Sequence, residues 1–181
     1  MHEILKSLHE DHVNLMKLLT LVRREFREPT HDGDVDYNLI LDVLDYIENY
    51  ADAIHHACEN QVYARLAQAH PDHAALVERL FGEHQQLQES TLSAASLLSN
   101  ALNDVILDKR TVDESVEDYV AAQSEHMSAE EREIFPLVDS VFDPSDWKYV
   151  AGQIQTADDP LFGERIKDRY RSLYESLSSM H

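Results

Sequence analysis

The sequence predicts an all-α protein: an antiparallel up-down-up-down four-helix bundle with short C-terminal helices. Glycine and proline are scarce, at 4 and 5 of 181 residues, and they fall mostly where a helical pattern breaks. Apolar residues recur at steps of three and four along four long segments, which is the spacing of one helix face. Short connections join these segments, and such connections favour antiparallel neighbours.

The first two long helices are separated by a turn-rich segment. The first helix is predicted over His2–Arg27, after which Pro29 and Gly33 break the pattern. The second is predicted over Tyr37–Ala69. Its apolar stripe also carries His55, so this imidazole is expected on the buried side of the helix.

The third and fourth long helices are bounded by prolines and by a capping signal. Pro71 ends the second helix, and the third is predicted over Asp72–Asp104. Thr111 and Glu114 match the capping-box pattern, which predicts the start of the fourth helix. Pro136 is expected to kink the fourth helix or to end it.

The C-terminal part is predicted to form two shorter helices. One is expected around Trp147–Ile154, and the other is an amphipathic helix that carries Phe162, Ile166, Tyr170, Leu173 and Leu177. We divide the chain into a bundle over residues 1–140 and an extension over 141–181 that packs on it. The alternative is that the apolar stripe of the extension serves a partner subunit in a homodimer.

Charge and apolar patterning restrict the class of partner. The chain has 15 Lys and Arg against 35 Asp and Glu, a formal net charge of −20, which disfavours nucleic acid and anionic membranes. No apolar run approaches the roughly 20 residues of a membrane span. The N-terminus lacks a signal-peptide core, so we expect a cytoplasmic protein. The single cysteine, Cys58, rules out a disulfide or a thiolate cluster within one chain.

The chain also contains an internal repeat. His12 and His84 are separated by 72 residues, and His55 and His126 by 71. Each half is a helical hairpin with one histidine on its first helix and a His-x-x-x-Glu pair on its second. Six polar residues lie on or beside the apolar stripes at one level of the bundle: His12, His55, Glu59, His84, His126 and Glu130.

Buried imidazoles and carboxylates are costly unless they are paired or bind a metal. Four imidazoles and two carboxylates at one level therefore predict a site for two cations, with Glu59 and Glu130 bridging and two histidines on each metal. Mixed nitrogen and oxygen ligands with open positions favour iron, although manganese or zinc could bind the same groups. The sequence does not determine which histidines share a metal.

Four motifs together resemble the hemerythrin-like, or HHE cation-binding, family. They are HEDH at 9–12, HHACEN at 55–60, GEH at 82–84 and HMSAEEREIFP at 126–136. The resemblance implies an oxo- or hydroxo-bridged non-haem di-iron centre in a four-helix bundle. Its ligands would be the same six residues that the repeat selects.

Two positions depart from the oxygen-carrying members of that family. Those proteins have a second histidine four residues along the third helix and an aspartate on the fourth. Here Gln88 and Glu130 occupy these positions. The chain thus looks more like the four-His, two-Glu variants, which are similar to bacterial proteins linked to nitric oxide and to the repair of iron–sulfur clusters.

Several residues near the six receive weaker functional interpretations. His9 lies off the stripe and is disfavoured against His12, and His56 is expected to be solvated because it points about 100 degrees away from His55. Glu131 either faces outward or supports the site. Tyr119 is expected to be a core aromatic rather than a group that orients a ligand.

These features predict a di-iron protein that binds O2 or NO and senses redox or nitrosative stress. One alternative is an enzyme that reduces NO or peroxide with the electrons of two irons. Another is iron storage, or iron donation for cluster repair. The sequence contains no dedicated proton-donor motif that would favour an enzyme.

Overall fold

The computed structural model describes residues 1–29, 34–103, 108–154 and 158–179, and these form an all-α fold. Gly33 and Asp104, which figured in the predicted helix boundaries, lie outside the described residues. The predicted four long helices are confirmed. Their α-helical parts are α1 (Glu3–Arg27), α2 (Tyr37–Tyr46), α3 (His56–Ala69), α4 (Ala74–Leu102), α5 (Lys109–Ala129) and α6 (Phe135–Val141).

The second and fourth long helices each contain a π-helical segment. Ile47–His55 joins α2 to α3, and Glu130–Ile134 joins α5 to α6. A π turn places one more residue between hydrogen-bonded partners than an α turn, and such turns occur often at functional sites. His55 ends the first π segment and Glu130 begins the second, so both segments border the predicted site.

The ends of the long helices differ from the prediction in detail. A 3₁₀ turn at Pro71–His73 precedes α4. The predicted capping box is wrong: α5 begins at Lys109, and its N-cap residue Asp108 makes no side-chain capping hydrogen bond. Pro136 does not end the fourth long helix, because it lies in the first turn of α6, where a missing N–H is tolerated.

Two short helices follow the bundle, α7 (Pro144–Ala151) and α8 (Arg171–Ser178). A capping box between Asp143 and Asp146 starts α7. The last helix is shorter than its stripe predicted, since Phe162 and Ile166 lie in the preceding non-helical segment. Apolar spacing alone did not reveal that only the C-terminal part of this stripe is helical.

Two apolar cores occupy the two ends of the bundle. One includes Leu15, Leu19 and Leu44, and Tyr170 and Leu173 from the C-terminal extension belong to it. The other includes Leu5, Leu8, Val62, Leu66, Leu80, Ile134, Val138, Trp147 and Val150. The six predicted site residues lie between these cores along their helices, so they form a polar layer with apolar packing on both sides.

The extension contacts the bundle through both of its helices. Arg65 of α3 lies 2.7 Å from the Asp146 carboxylate of α7. Tyr170, next to α8, donates a hydrogen bond of 2.8 Å to Asp45 of α2. Within the described ranges, no helix is both long and apolar enough to cross a membrane.

Candidate metal centre

The structure brings all six predicted site residues together. His12 of α1 and His55 of the first π segment both point Nε2 at the same oxygen, Oε1 of Glu59, at 3.3 Å. The second carboxylate also reaches this pair, since Glu130 Oε2 lies 3.4 Å from His12 Nε2. Two imidazole nitrogens and an oxygen from each carboxylate therefore converge on one position.

A second set of atoms mirrors the first. His84 Nε2 lies 3.4 Å from Glu59 Oε2 and 3.5 Å from Glu130 Oε1. His126 Nε2 lies 3.3 Å from the same Glu130 oxygen. Each carboxylate thus presents one oxygen to each histidine pair, which is the geometry of two bridging ligands between two cation positions.

The atoms at the centre of this cluster are buried. Glu59 and Glu130 are 0% exposed, and the four histidines are 2–7% exposed. Seven of these atoms make no hydrogen bond to any described residue: Nε2 of His12, His55, His84 and His126, both oxygens of Glu59, and Oε2 of Glu130. Buried polar atoms are normally satisfied. Their chemistry, imidazole nitrogen and carboxylate oxygen, fits a transition metal such as iron.

The electrostatics of the cluster favour positive charge. Burial alone would lower the pKa of His12, but the nearby carboxylates of Glu130 and Glu131 outweigh it and raise the pKa to about 12. Burial likewise opposes protonation of His55, yet the Glu59 charge helps to raise its pKa to about 9. Protons on His12 and His55 thus offset part of the carboxylate charge when no metal is bound. A metal ion would supply that charge instead.

The Nδ1 atoms of His55 and His126 are held by acidic residues. These acidic residues directly precede the other two histidines, His12 and His84. Asp11 Oδ2 lies 3.0 Å from His55 Nδ1. Glu83 Oε2 lies 3.0 Å from His126 Nδ1. An acceptor at Nδ1 fixes the ring and leaves Nε2 to bind the metal, as is usual for metal-binding histidines.

The remaining two histidines, His84 and His12, are held by the residues that directly follow Glu59 and Glu130. Asn60 Oδ1 lies 2.9 Å from His84 Nδ1. Glu131 Oε1 lies 2.9 Å from His12 Nδ1. Of the two interpretations of Glu131, the structure thus favours the one in which this side chain holds a site histidine. Asp11, Glu83 and Asn60 were not among the predicted site residues, although the internal repeat pairs these flanking positions just as it pairs the six site residues.

Tyr63 also contacts the cluster, although the sequence pattern did not predict it. Its hydroxyl donates a hydrogen bond of 2.6 Å to Glu130 Oε1. The ring is 0% exposed, and burial together with the nearby Glu130 charge raises the Tyr63 pKa well above its ordinary value. The phenol therefore stays protonated and stabilises the charge on the Glu130 carboxylate.

The expectation that His56 is solvated is wrong. Its side chain is buried at 6% exposure, and its ring stacks on His84 with centroids 4.1 Å apart and planes at 9°. A turn of about 100 degrees does not bring a residue to the surface when α3 packs against a neighbour on that side too. Asp52 lies beside it, with a carboxylate oxygen 3.4 Å from His56 Nδ1.

His56 is close enough to count among the possible ligands. The potential ligand atoms of His12, His55 and Glu59 all lie within 4.8 Å of one another. The same is true of the potential ligand atoms of a second group: His56, Glu59, His84 and His126. An imidazole binds a metal in its ring plane, and two parallel stacked rings cannot both do so with one ion. The stacking therefore places His56 beside the second position rather than on it.

The other residues that were given weaker interpretations lie outside the cluster. His9 contacts Glu131 at 2.9 Å and its side chain is 47% exposed. Tyr119 pairs with Thr91 and Gln123 in a buried polar network without touching a site histidine. Cys58 is partly buried against the core that contains Val62.

A family model described as the hemerythrin HHE cation-binding domain matches residues 3–138. The chain belongs to this family. The matched hemerythrin range includes all six site residues and every residue that holds their outer nitrogens, and it ends before α7. No curated protein and no solved structure matches the chain. The hemerythrin-like domain and its buried His and Glu cluster together indicate a cation-binding protein.

Proposed function

We propose that this centre holds two iron ions and that the pair binds a small diatomic molecule, O2 or NO. The observation that supports the proposal is the set of seven buried, unpartnered nitrogen and oxygen atoms, arranged as two facing groups. Unsatisfied buried polar atoms in such number would destabilise a protein that never bound a cation.

The geometry supports one division of the ligands. His12 and His55 would hold the first ion, and His84 and His126 the second. Glu59 and Glu130 would bridge the two. When bound, iron would supply redox chemistry and coordination positions left open by the protein.

The chain's own residues orient the ligands and exclude water. The partners at Nδ1 fix each imidazole, and Tyr63 fixes one oxygen of Glu130. The apolar cores above and below the layer keep bulk solvent away. The net charge of −20 attracts cations toward the protein. We propose a cytoplasmic role in sensing redox or nitrosative stress.

The first test is a count of metals per chain. The protein is purified anaerobically, supplied with iron, desalted and measured by elemental analysis beside Glu59→Ala and Glu130→Ala. We expect about two irons in the native protein and a large loss in both variants, because each removes a ligand from both positions. Glu133→Ala is the matched control, since this neighbouring glutamate has a side chain that is 55% exposed.

The second step is spectroscopic. Reduced, iron-loaded protein is exposed separately to O2 and to NO, and new absorption bands are sought that reverse when the gas is removed. A folded native protein that retains almost no iron would contradict the metal proposal. Two retained irons with no reaction toward either gas would contradict only the diatomic-binding function.

Tyr63 favours a second candidate, the reduction of NO or peroxide. Both reactions consume protons, and the Tyr63 hydroxyl holds a proton 2.6 Å from Glu130 Oε1. Sustained turnover whose rate per bound iron falls in Tyr63→Phe would favour this enzyme over a binding protein. Transfer of iron to an acceptor protein without loss of fold would favour storage or donation.

A further inference from the structure

Three buried tyrosines form a chain of ring contacts beside the metal centre. The rings of Tyr50 and Tyr46 have centroids 5.4 Å apart, and those of Tyr46 and Tyr170 are 5.6 Å apart. Tyr50 is 8% exposed, Tyr46 1% and Tyr170 2%. Three oxidisable rings are therefore in sequence and shielded from solvent.

Each of these tyrosines donates its hydroxyl to an aspartate. Tyr46 donates to Asp159 Oδ2 at 2.9 Å. Tyr170 donates to Asp45 Oδ2 at 2.8 Å. Tyr50 makes a longer hydrogen bond of 3.4 Å to Asp11 Oδ1. A backbone carbonyl or an amide would satisfy a buried phenol with a smaller desolvation cost than a carboxylate, so packing alone does not account for three acidic acceptors.

The chain connects the metal centre to the surface. At the inner end, Asp11 also holds Nδ1 of the site residue His55, at 3.0 Å. At the outer end, the Asp45 side chain is 31% exposed and pairs with Arg169, whose side chain is 56% exposed. The Arg169 guanidinium lies 5.1 Å from the centre of the Tyr170 ring.

We propose that Tyr50, Tyr46 and Tyr170 form an electron-transfer route between the metal centre and the surface at Asp45 and Arg169. This inference rests on the proposed function, because it requires a redox-active metal in the centre. The donor at the surface belongs to the class of one-electron reductants. A positive or neutral donor suits a chain whose net charge is −20.

The aspartates can accept the proton that a phenol releases when it is oxidised. Once peroxide had oxidised the proposed iron pair, Tyr46 would give up one electron to it across the Tyr50 ring, and the Tyr46 phenolic proton would move to Asp159 Oδ2. This leaves a neutral tyrosyl radical and a protonated carboxyl group. The surface donor then returns one electron through Tyr170, and Asp159 returns the proton. The net result is one electron moved from the donor to iron.

The resting state of the phenols is consistent with this role. Burial, together with the neighbouring aspartates, raises the pKa of Tyr46 and of Tyr170 far above the ordinary value for tyrosine. Both therefore keep their protons at rest. An oxidised phenol becomes strongly acidic, so its proton leaves along the existing hydrogen bond.

The test combines a radical signature with a rate. Iron-loaded, reduced protein receives one equivalent of hydrogen peroxide without air, is frozen quickly, and is examined by electron paramagnetic resonance with ring-deuterated tyrosine. In parallel, stopped-flow absorbance follows re-reduction of the oxidised centre by hexaammineruthenium(II), a cationic one-electron donor. Tyr46→Phe and Tyr170→Phe keep the ring packing, while Asp159→Asn keeps a hydrogen-bond partner but removes the proton acceptor.

Exposed tyrosines provide matched controls. Tyr149 and Tyr174 are 47% and 42% exposed, and their Phe variants leave the three-ring chain intact. We expect a tyrosyl radical in the native protein, lost in Tyr46→Phe, and re-reduction slowed roughly tenfold or more in Tyr46→Phe, Tyr170→Phe and Asp159→Asn. The two controls should retain both the radical and the rate.

Iron analysis of every sample separates the possible failures. Unchanged re-reduction in Tyr46→Phe and Tyr170→Phe, with two irons present, would overturn the route and leave the metal proposal standing. Loss of iron or of fold in both variants would also overturn it, because the rings would then have a structural role. Absence of iron from the native protein would refute the proposed function, and the route with it.

Discussion

The half of the metal centre built on His12 and His55 differs from the half built on His84 and His126 in its surroundings rather than in its ligand atoms. Both halves present two Nε2 atoms and two carboxylate oxygens, and in both the Nδ1 atoms are held by side-chain oxygens at 2.9–3.0 Å. The neighbours of these groups have diverged between the halves.

Positions related by 71 residues show the divergence. Tyr63 corresponds to Ile134, so only Glu130 receives a phenol hydrogen bond. His56 corresponds to Met127, so His84 stacks on a second imidazole, whereas the ring stacked on His12 is that of Phe135. Asn60 corresponds to Glu131, so a neutral anchor in one half is an anionic anchor in the other.

The clefts beside the two halves also differ, in the polarity of the side chains that line them. A cleft of about 430 Å³ next to His84 is lined mainly by polar side chains: Asp52, His56, Asn60, Gln61, Gln85 and Gln88. A cleft of about 510 Å³ next to His12 is lined by Val13, Met16 and Met127 together with polar groups. The internal repeat thus preserves the Nε2 and carboxylate oxygen atoms of the cluster, whereas the clefts beside its two halves differ in polarity. We therefore expect the two proposed metal positions to have different affinities.

Removing the metal tests what the halves share, and we expect the largest effect from it. Chelation of the iron-loaded protein should lower the melting temperature by about 10 °C, because a ligand present at about 1,000 times its Kd stabilises by about 4 kcal/mol. Calorimetry before and after chelation measures this. Recovery on adding iron, but not on adding sodium, controls for damage by the chelator, and an unchanged melting temperature would argue against a tightly bound metal.

The outer anchors test whether the halves are equivalent. Asp11→Ala and Glu83→Ala each free one Nδ1 atom, so each should weaken iron binding by about 10- to 100-fold. Asn60→Ala should have a smaller effect than Glu131→Ala, because a neutral acceptor holds the imidazole less strongly than a carboxylate. Competition with a calibrated chelator gives the affinities. Equal effects of Asn60→Ala and Glu131→Ala would show that anchor charge is unimportant.

Substitution of Tyr63 tests whether the phenol hydrogen bond that Glu130 receives, and Glu59 does not, affects metal affinity. Tyr63→Phe removes the hydrogen bond to Glu130, and bonds to charged groups are worth about 1.5–3 kcal/mol, so we expect roughly a tenfold or greater change in metal affinity. Ile134→Val is the control at the corresponding position, and it should change affinity little. The same titration with chelator applies. Identical affinities for Tyr63→Phe and the native protein would mean that the phenol only fills space.

The smallest effect is expected from the pair His56 and Met127. If His56 lies beside the second position rather than on it, His56→Leu should leave the iron count at two, as should Met127→Leu. X-ray absorption should show the same number of nitrogen ligands in both variants as in the native protein. Loss of iron or of one nitrogen ligand in His56→Leu alone would make His56 a fifth histidine ligand.

The sequence predicted the bundle and the meeting of the six site residues because both depend on periodic spacing. Apolar steps of three and four define the helices, and the internal repeat places His12, His55, His84 and His126 at one level. The π segments were not predictable, since one extra residue in a turn leaves the composition of the stripe unchanged. The burial of His56 was also missed, because a single stripe describes only one of the two faces that α3 buries.

The supporting residues were harder to predict than the ligands. Asp11, Glu83, Asn60 and Glu131 are polar residues next to a ligand, and most such residues on a helix face solvent. What distinguishes them is that they lie at matched positions of the two halves. Tyr63 has no such signal, because its counterpart Ile134 is apolar.

The π segments allow the buried faces at the two ends of one long helix to point in different directions around the helix axis, that is, to have different rotational phases. An α-helix is a rigid screw, in which each residue turns the chain by about 100 degrees, so two cores on one straight helix must share one phase. The segment Ile47–His55 shifts that phase between the core packed by α2 and the core packed by α3. Deleting one residue within it would restore a continuous screw and turn α2 relative to His55 and Glu59. Tolerance of the chain to such a deletion would therefore be lowest where the helix is least regular.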